Sequence, residues 1–124
     1  MSDITTVVDS YLAALGEGDA EARARLVERA WTPDGHFVDP LLDVRGHEEI
    51  AAIADAVREH YPDHAFRRTS AVDVHHDRAR FTWTLVGPDP DAQPALTGVD
   101  VALVADDGRL REVVGFFGDV AEAA

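Results

Sequence analysis

A chain of 124 residues, 46% of them hydrophobic, suits a single domain with one core spanning residues 1–124. Its 24 acidic and 11 basic residues leave a net charge of −13, a field that repels phosphate backbones and anionic lipid, so neither nucleic acid nor a membrane is expected as a partner. No apolar run is long enough to span a bilayer and no signal-peptide pattern opens the chain; cysteine and lysine are both absent, which excludes thiol nucleophiles and lysine Schiff bases and points to a cytoplasmic protein working without a cofactor.

Ile4, Val7, Val8, Tyr11, Leu12 and Leu15 follow helical spacing, with Ser2 or Asp3 to cap the start and Gly16 to stop it. Asp19 can cap a second helix through about Ala30, with Ala22, Leu26 and Ala30 on one side and Trp31 packing where it ends. Thr32-Pro33-Asp34-Gly35 carries Pro and Gly at the second and fourth positions of a type I turn. A short strand at 36–38 should close at Asp39, because Pro40 cannot donate to a ladder and pushes its predecessor toward extended geometry. After a loop over 40–45, Gly46 opens a third helix with Ile50, Ile53, Ala54, Val57 and Tyr61 on one face, and Pro62 ends it.

From His64 the texture becomes β-branched and aromatic. Strands are predicted near 66–75, 78–86, 95–105 and 109–118, with tight turns at 76–77 and 106–108 and a longer loop at 87–91. Helices first and strands afterwards is an α+β order, with helices covering one face of an antiparallel sheet. Over 95–105 both alternating sets are largely apolar (Leu96, Ala102 and Val104 against Val99, Val101 and Leu103), so the outer face is expected to be covered by a second copy in a homodimer.

Three polar residues stand out against apolar neighbours. Asp39 follows Phe37-Val38 at a strand end, where its simplest role is an Asx-type turn. Tyr11 lies on the apolar face of the first helix, as a core tyrosine would. Asp100 lies among Val99, Val101 and Ala102 in a central strand, where a carboxylate must be paired or neutralised. Trp31, Phe37, Phe81, Trp83 and Phe117 can wall an apolar ligand site or simply fill the core; Phe81, Trp83 and Leu85 share strand parity. No metal site is expected: His75 and His76 point to opposite faces of a strand, and Pro62 separates His60 from His64. None of the three serines sits in Gly-x-Ser-x-Gly, and Gly16 and Gly18 join two helices instead of following a strand.

The element order, the Tyr-Leu-Ala-Ala-Leu-Gly-Glu-Gly-Asp stretch at 11–19, the Asp39-Pro40 pair and the helix start at 46–50 together resemble the nuclear transport factor 2-like superfamily, which includes SnoaL-like proteins. The resemblance implies a cone-shaped α+β fold with three N-terminal helices packed on a curved, mainly antiparallel sheet around one pocket. Within that superfamily Tyr11, Asp39 and Asp100 are most similar to the functional residues of bacterial Δ5-3-ketosteroid isomerases. By that similarity Asp39 would be a general base moving a proton next to a carbonyl in a small apolar substrate, and Tyr11 with a protonated Asp100 would form the oxyanion hole. The position matching a further tyrosine of those isomerases is Ala54, which has no hydroxyl. The superfamily also implies two alternatives: a SnoaL-type polyketide cyclase with Asp39 or Asp100 as base, or a dimer that binds a hydrophobic ligand without turnover.

Overall fold

In the computed structural model, which describes residues 3–123, the chain runs α1 (Ile4–Ala14), α2 (Ala20–Ala30), β1 (Trp31–Val38), β2 (Asp43–Arg45), α3 (Gly46–His60), β3 (Ala65–Arg68), β4 (Asp73–His75), β5 (Arg78–Val86), β6 (Leu96–Val104) and β7 (Leu110–Phe117). Helix α1 buries Val7, Val8, Tyr11 and Leu12, the stripe its spacing predicts. Asp3 occupies its N-cap position without a side-chain cap bond, and Ser2 lies outside the described residues. Asp19 does cap α2, its Oδ2 accepting the Ala22 N–H at 3.0 Å. The buried face of α2 differs from the one expected: Arg23, Val27 and Ala30 face inward, and Ala22 and Leu26 are only half-buried. Arg23 can face inward because its guanidinium donates to Glu17 O, Ala51 O and Asp55 Oδ1, which ties α2 to α3.

The sheet has the order β2-β1-β7-β6-β5-β3, with β4 also on β5; all its pairings are antiparallel except that of β1 with β7. Three local expectations are corrected. Residues 32–35 do not form a type I turn: β1 is extended from Trp31 onward, and these four residues bulge opposite the single residue Arg111 of β7. Gly35 serves Trp31 there, since a Cβ on it would stand 2.5 Å from the indole Cε3. The 40–45 loop contains β2, too short and polar to show alternation, which pairs back on residues 36–38. The strand expected over 66–75 is two strands. Between β3 and β4 the Thr82 N–H goes to the Ser70 hydroxyl (2.8 Å), so a side chain replaces the ladder where the chain bulges.

Strand register sets the inner face. Trp83, Gly98 and Phe117 form one row across β5, β6 and β7, and Phe81, Asp100 and Gly115 form the next. Beyond that come Ala79, Ala102, Val113 and Phe37. The three helices pack over these rows, and the core of Val8, Val27, Trp31, Phe81, Leu85, Leu110 and Val113 lies between them. Among the described residues no helix is long and apolar enough to cross a membrane.

Candidate active site

One cavity of about 240 Å³ opens between α1, α3 and the inner face of the sheet, and Tyr11, Asp39 and Asp100 all line it. They arrive from separate parts of the chain: Tyr11 on the buried stripe of α1, Asp39 one residue past β1, and Asp100 mid-way along β6. Asp39 makes the Asx-type turn that its position suggests, its Oδ1 accepting the N–H groups of Leu41 and Leu42 at 2.8 Å each. The turn and the cavity roles coexist, because one carboxylate oxygen is held by the backbone while the other has no hydrogen-bond partner among the described residues.

Asp100 is 2% exposed and accepts at both oxygens, from the Tyr11 hydroxyl at 2.7 Å and from the Trp83 indole N–H at 3.0 Å. Its carboxyl is raised to about 6 on balance: burial pushes it up, the bonds from Tyr11 and Trp83 pull it part of the way back, and the nearby Asp39 adds a smaller push upward. The Tyr11 hydroxyl is held well above its ordinary value, first by burial and then by the adjacent Asp100 carboxylate. Tyr11 thus donates to Asp100 in the free protein, whereas the family resemblance implies that both donate to a ligand oxygen.

Gly115 lies between Asp39 and Asp100. A Cβ on it would stand 2.8 Å from Asp100 Oδ1 and 3.4 Å from Asp39 Cβ, so the two residues flank a position with no side chain.

The five aromatic residues expected to wall the site separate. Phe37, Trp83 and Phe117 line the cavity. Trp31 and Phe81 do not: both are buried behind Tyr11, their rings 5.7 and 6.2 Å from its ring and nearly perpendicular to it, where they fix its orientation. Strand parity puts Phe81 on the inner face correctly, but the Tyr11 ring packs against it and it does not reach the cavity that Asp100 and Gly115 of the same row line. The rest of the wall includes Leu12 of α1 and Leu15 at its C-cap, Ile53 and Val57 of α3, Tyr61 just after it, and Phe66, Leu85 and Leu96 of the sheet, with Leu41 and His60 exposed at the rim. The apolar members of this wall carry no chemical signal in the sequence, but Gly115 does, since a glycine inside an apolar strand marks a close approach.

The lining holds two carboxylates and no arginine, so an anionic ligand would enter against repulsion, and a neutral, mostly apolar one fits. Among the described residues no group of three His, Cys, Asp or Glu side chains is placed to hold a metal ion.

Comparison with known proteins agrees with this architecture. Residues 8–113 match the model of the SnoaL-like domain family. A SnoaL-like family protein from Agrobacterium tumefaciens, named as a proposed isomerase, is 36% identical over 96% of this chain and 100% of its own, with a TM-score of 0.83. An NTF2-like protein from an Exiguobacterium species (18% identity, 93% and 100% coverage, TM-score 0.72) and a proposed polyketide cyclase from Sinorhizobium meliloti (19%, 88% and 92%, 0.65) share the fold. No curated protein sequence matches the chain. With three helices over a mixed, mainly antiparallel sheet, one pocket on its inner face and a family match across most of its length, the chain belongs to the SnoaL-like domain family of the nuclear transport factor 2-like fold.

Proposed function

We propose that this protein is a cofactor-independent proton-transfer enzyme, an isomerase that moves a double bond next to a carbonyl in a small apolar substrate. The observation that carries the reading is the convergence of Asp39, Tyr11 and Asp100 on one apolar cavity, with the two carboxylates differently held. The similarity to a proposed isomerase at 36% identity supports it.

Asp39 is the base. Its backbone-held oxygen aims the carboxylate, and its other oxygen is free to take a proton from the carbon next to the substrate carbonyl. The C–H bond breaks, its electron pair moves through carbon to the carbonyl oxygen, and an enolate forms; return of the same proton to the far end of the double bond completes the shift.

Stabilising the enolate oxygen requires donors. Asp100 lies close enough to neutrality that an apolar substrate sealing the cavity would favour its protonated form, since desolvation already raises its pKa to about 6. Tyr11, no longer needed by a carboxylate, can then turn its hydroxyl to the substrate oxygen.

The test is isomerisation, or α-proton exchange with solvent deuterium, of a β,γ-unsaturated cyclic ketone. Asp39→Asn is expected to lower the rate by about 10²–10⁴-fold with ligand affinity retained, the scale of a lost general base. Asp100→Ala should cost about 10²–10³-fold and more than Asp100→Asn, which keeps an N–H donor. A wild type that binds phenols yet exchanges no ketone proton would leave a binding protein, and full activity in Asp39→Asn would leave Asp39 as a turn residue only.

A further inference from the structure

Both carboxyl oxygens of Asp100 are engaged inside the protein. The Trp83 indole N–H reaches Oδ1 at 3.0 Å and the Tyr11 hydroxyl reaches Oδ2 at 2.7 Å; among the described residues the side chain has no other hydrogen-bond partner. The indole is held in place. It lies across Gly98, where a Cβ would stand 2.3 Å from Cζ2, and the rings of Phe66 and Phe117 meet it edge to face at 5.2 and 6.1 Å.

The two donors differ in kind: an indole N–H only donates, whereas a tyrosine hydroxyl both donates and accepts. When Asp100 takes up a proton from solvent, the oxygen facing Trp83 has to remain an acceptor, and the hydroxyl oxygen of a neutral carboxyl is the poorer acceptor of its two oxygens. The proton therefore goes to Oδ2. There it meets the Tyr11 oxygen at 2.7 Å, a separation at which two oxygens need a proton between them. Asp100 then donates to Tyr11, and the proton of Tyr11 itself is the one left to point into the cavity that both residues line.

We propose that Trp83 is a positioning residue that turns the proton of neutral Asp100 toward Tyr11, so that Tyr11 is the single donor to a ligand oxygen and Asp100 acts through it. The inference rests on the reading above only in taking a ligand oxygen to lie at Tyr11. The family resemblance implies two donors side by side on that oxygen; here the second donor is committed to the first. The gain comes from the chain: a hydroxyl that accepts a hydrogen bond from a carboxyl is polarised and donates more strongly in turn. The other titratable groups on the cavity, Asp39, His60 and Tyr61, make no hydrogen bond to Asp100.

Asp100→Asn tests the orientation without titration, because an amide placed like the neutral carboxyl has its oxygen at Trp83 and its N–H at Tyr11. In Tyr61→Phe, where Tyr11 is the only tyrosine, the tyrosine doublet in Raman spectra reads whether that hydroxyl donates or accepts. It should read donor in this background at pH 8, shift toward acceptor when Asp100→Asn is added, and return toward donor when Trp83→Phe frees the amide to turn. Nuclear Overhauser contacts from the introduced amide protons, stronger to the Tyr11 ring than to the indole N–H, give the same answer with Trp83 in place. Phenol binding reads the relay: Tyr11→Phe should weaken it about tenfold, the scale of one lost hydrogen bond. Adding Asp100→Ala to Tyr11→Phe should change that affinity by no more than about twofold, whereas two independent donors would multiply their losses. Melting temperatures and amide fingerprints check that each variant folds. A donor reading or indole-side contacts in Asp100→Asn, a doublet indifferent to a folded Trp83→Phe, multiplied losses, or no phenol binding by the wild type each overturns the proposal. If these results hold and the wild type exchanges no ketone proton, proton transfer falls and the relay stands.

Discussion

Asp100 is where opposing forces meet in one side chain. Burial disfavours its charge, while Tyr11 and Trp83 each offer a proton that only an acceptor can use, and the result is a carboxyl raised to about 6 from an ordinary 3.8. The sign of the linkage follows. Between about pH 4 and 6 the folded protein holds a proton that the unfolded chain has released, so this residue's contribution to stability is fully present below 4 and lost as pH rises through 6. The loss is on the order of 2–3 kcal/mol. Asp100→Asn lacks this titration, so urea unfolding at pH 4 and pH 7 should show the variant gaining on the wild type by that amount as pH rises. A difference that does not change with pH would mean that Asp100 titrates as an ordinary carboxylate. Trp83→Phe keeps a ring over Gly98 but removes an N–H from Asp100, and should move the titration midpoint upward.

Among the elements, α2 depends most on polar contacts, because its only fully buried apolar residues are Val27 and Ala30. Arg23 compensates from the same face. It is buried, and its guanidinium satisfies two backbone carbonyls and reaches Asp55 at 3.1 Å. Asp55 is exposed, so the ion pair itself contributes little, and the weight falls on the Glu17 carbonyl between α1 and α2, which would lose the Arg23 donor, and on the packing of the buried arginine stem. Arg23→Ala is expected to cost about 2–3 kcal/mol in chemical denaturation, whereas Asp55→Ala should cost under about 1 kcal/mol. Equal losses in the two variants would assign the stability to the ion pair instead.

At the scale of the whole molecule the sheet has two unlike faces. Helices cover the inner one, while the outer face carries Val99, Val101, Val114 and Phe116 in register across β6 and β7, with Phe116 56% exposed. Like charges elsewhere on so acidic a chain oppose association, so a second copy would have to meet this face through its apolar patch. The expected outcome is a homodimer through the outer face: sedimentation at micromolar concentration should give about twice 13.5 kDa, and Phe116→Glu should return the monomer without loss of fold. A wild type that sediments at 13.5 kDa would show that the patch stays uncovered.

The sequence by itself determined whatever depends on neighbours a few residues apart. The stripes of α1 and α3, the Asp19 cap and the turns at 76–77 and 106–108 follow from 3.6-residue spacing and turn chemistry, and β5 begins and ends where alternation and Gly87-Pro88 place it. Asp39 and Asp100 were legible for a related reason, since a carboxylate among apolar residues needs an explanation wherever it sits. Tertiary structure decided the rest through contacts that no local pattern records. Tyr11 meets Asp100 across 89 residues, and its ring packs against Phe81, which strand parity alone would have placed on the cavity wall. The Ser70 hydroxyl splits one strand into two, and Trp31 needs the bulge in β1. Trp83 looks like a wall residue in the sequence, and only strand register shows that its ring crosses Gly98 to reach Asp100. Pairing across strands assigns each side chain its opposite neighbour, and that assignment puts Gly115 between Asp39 and Asp100.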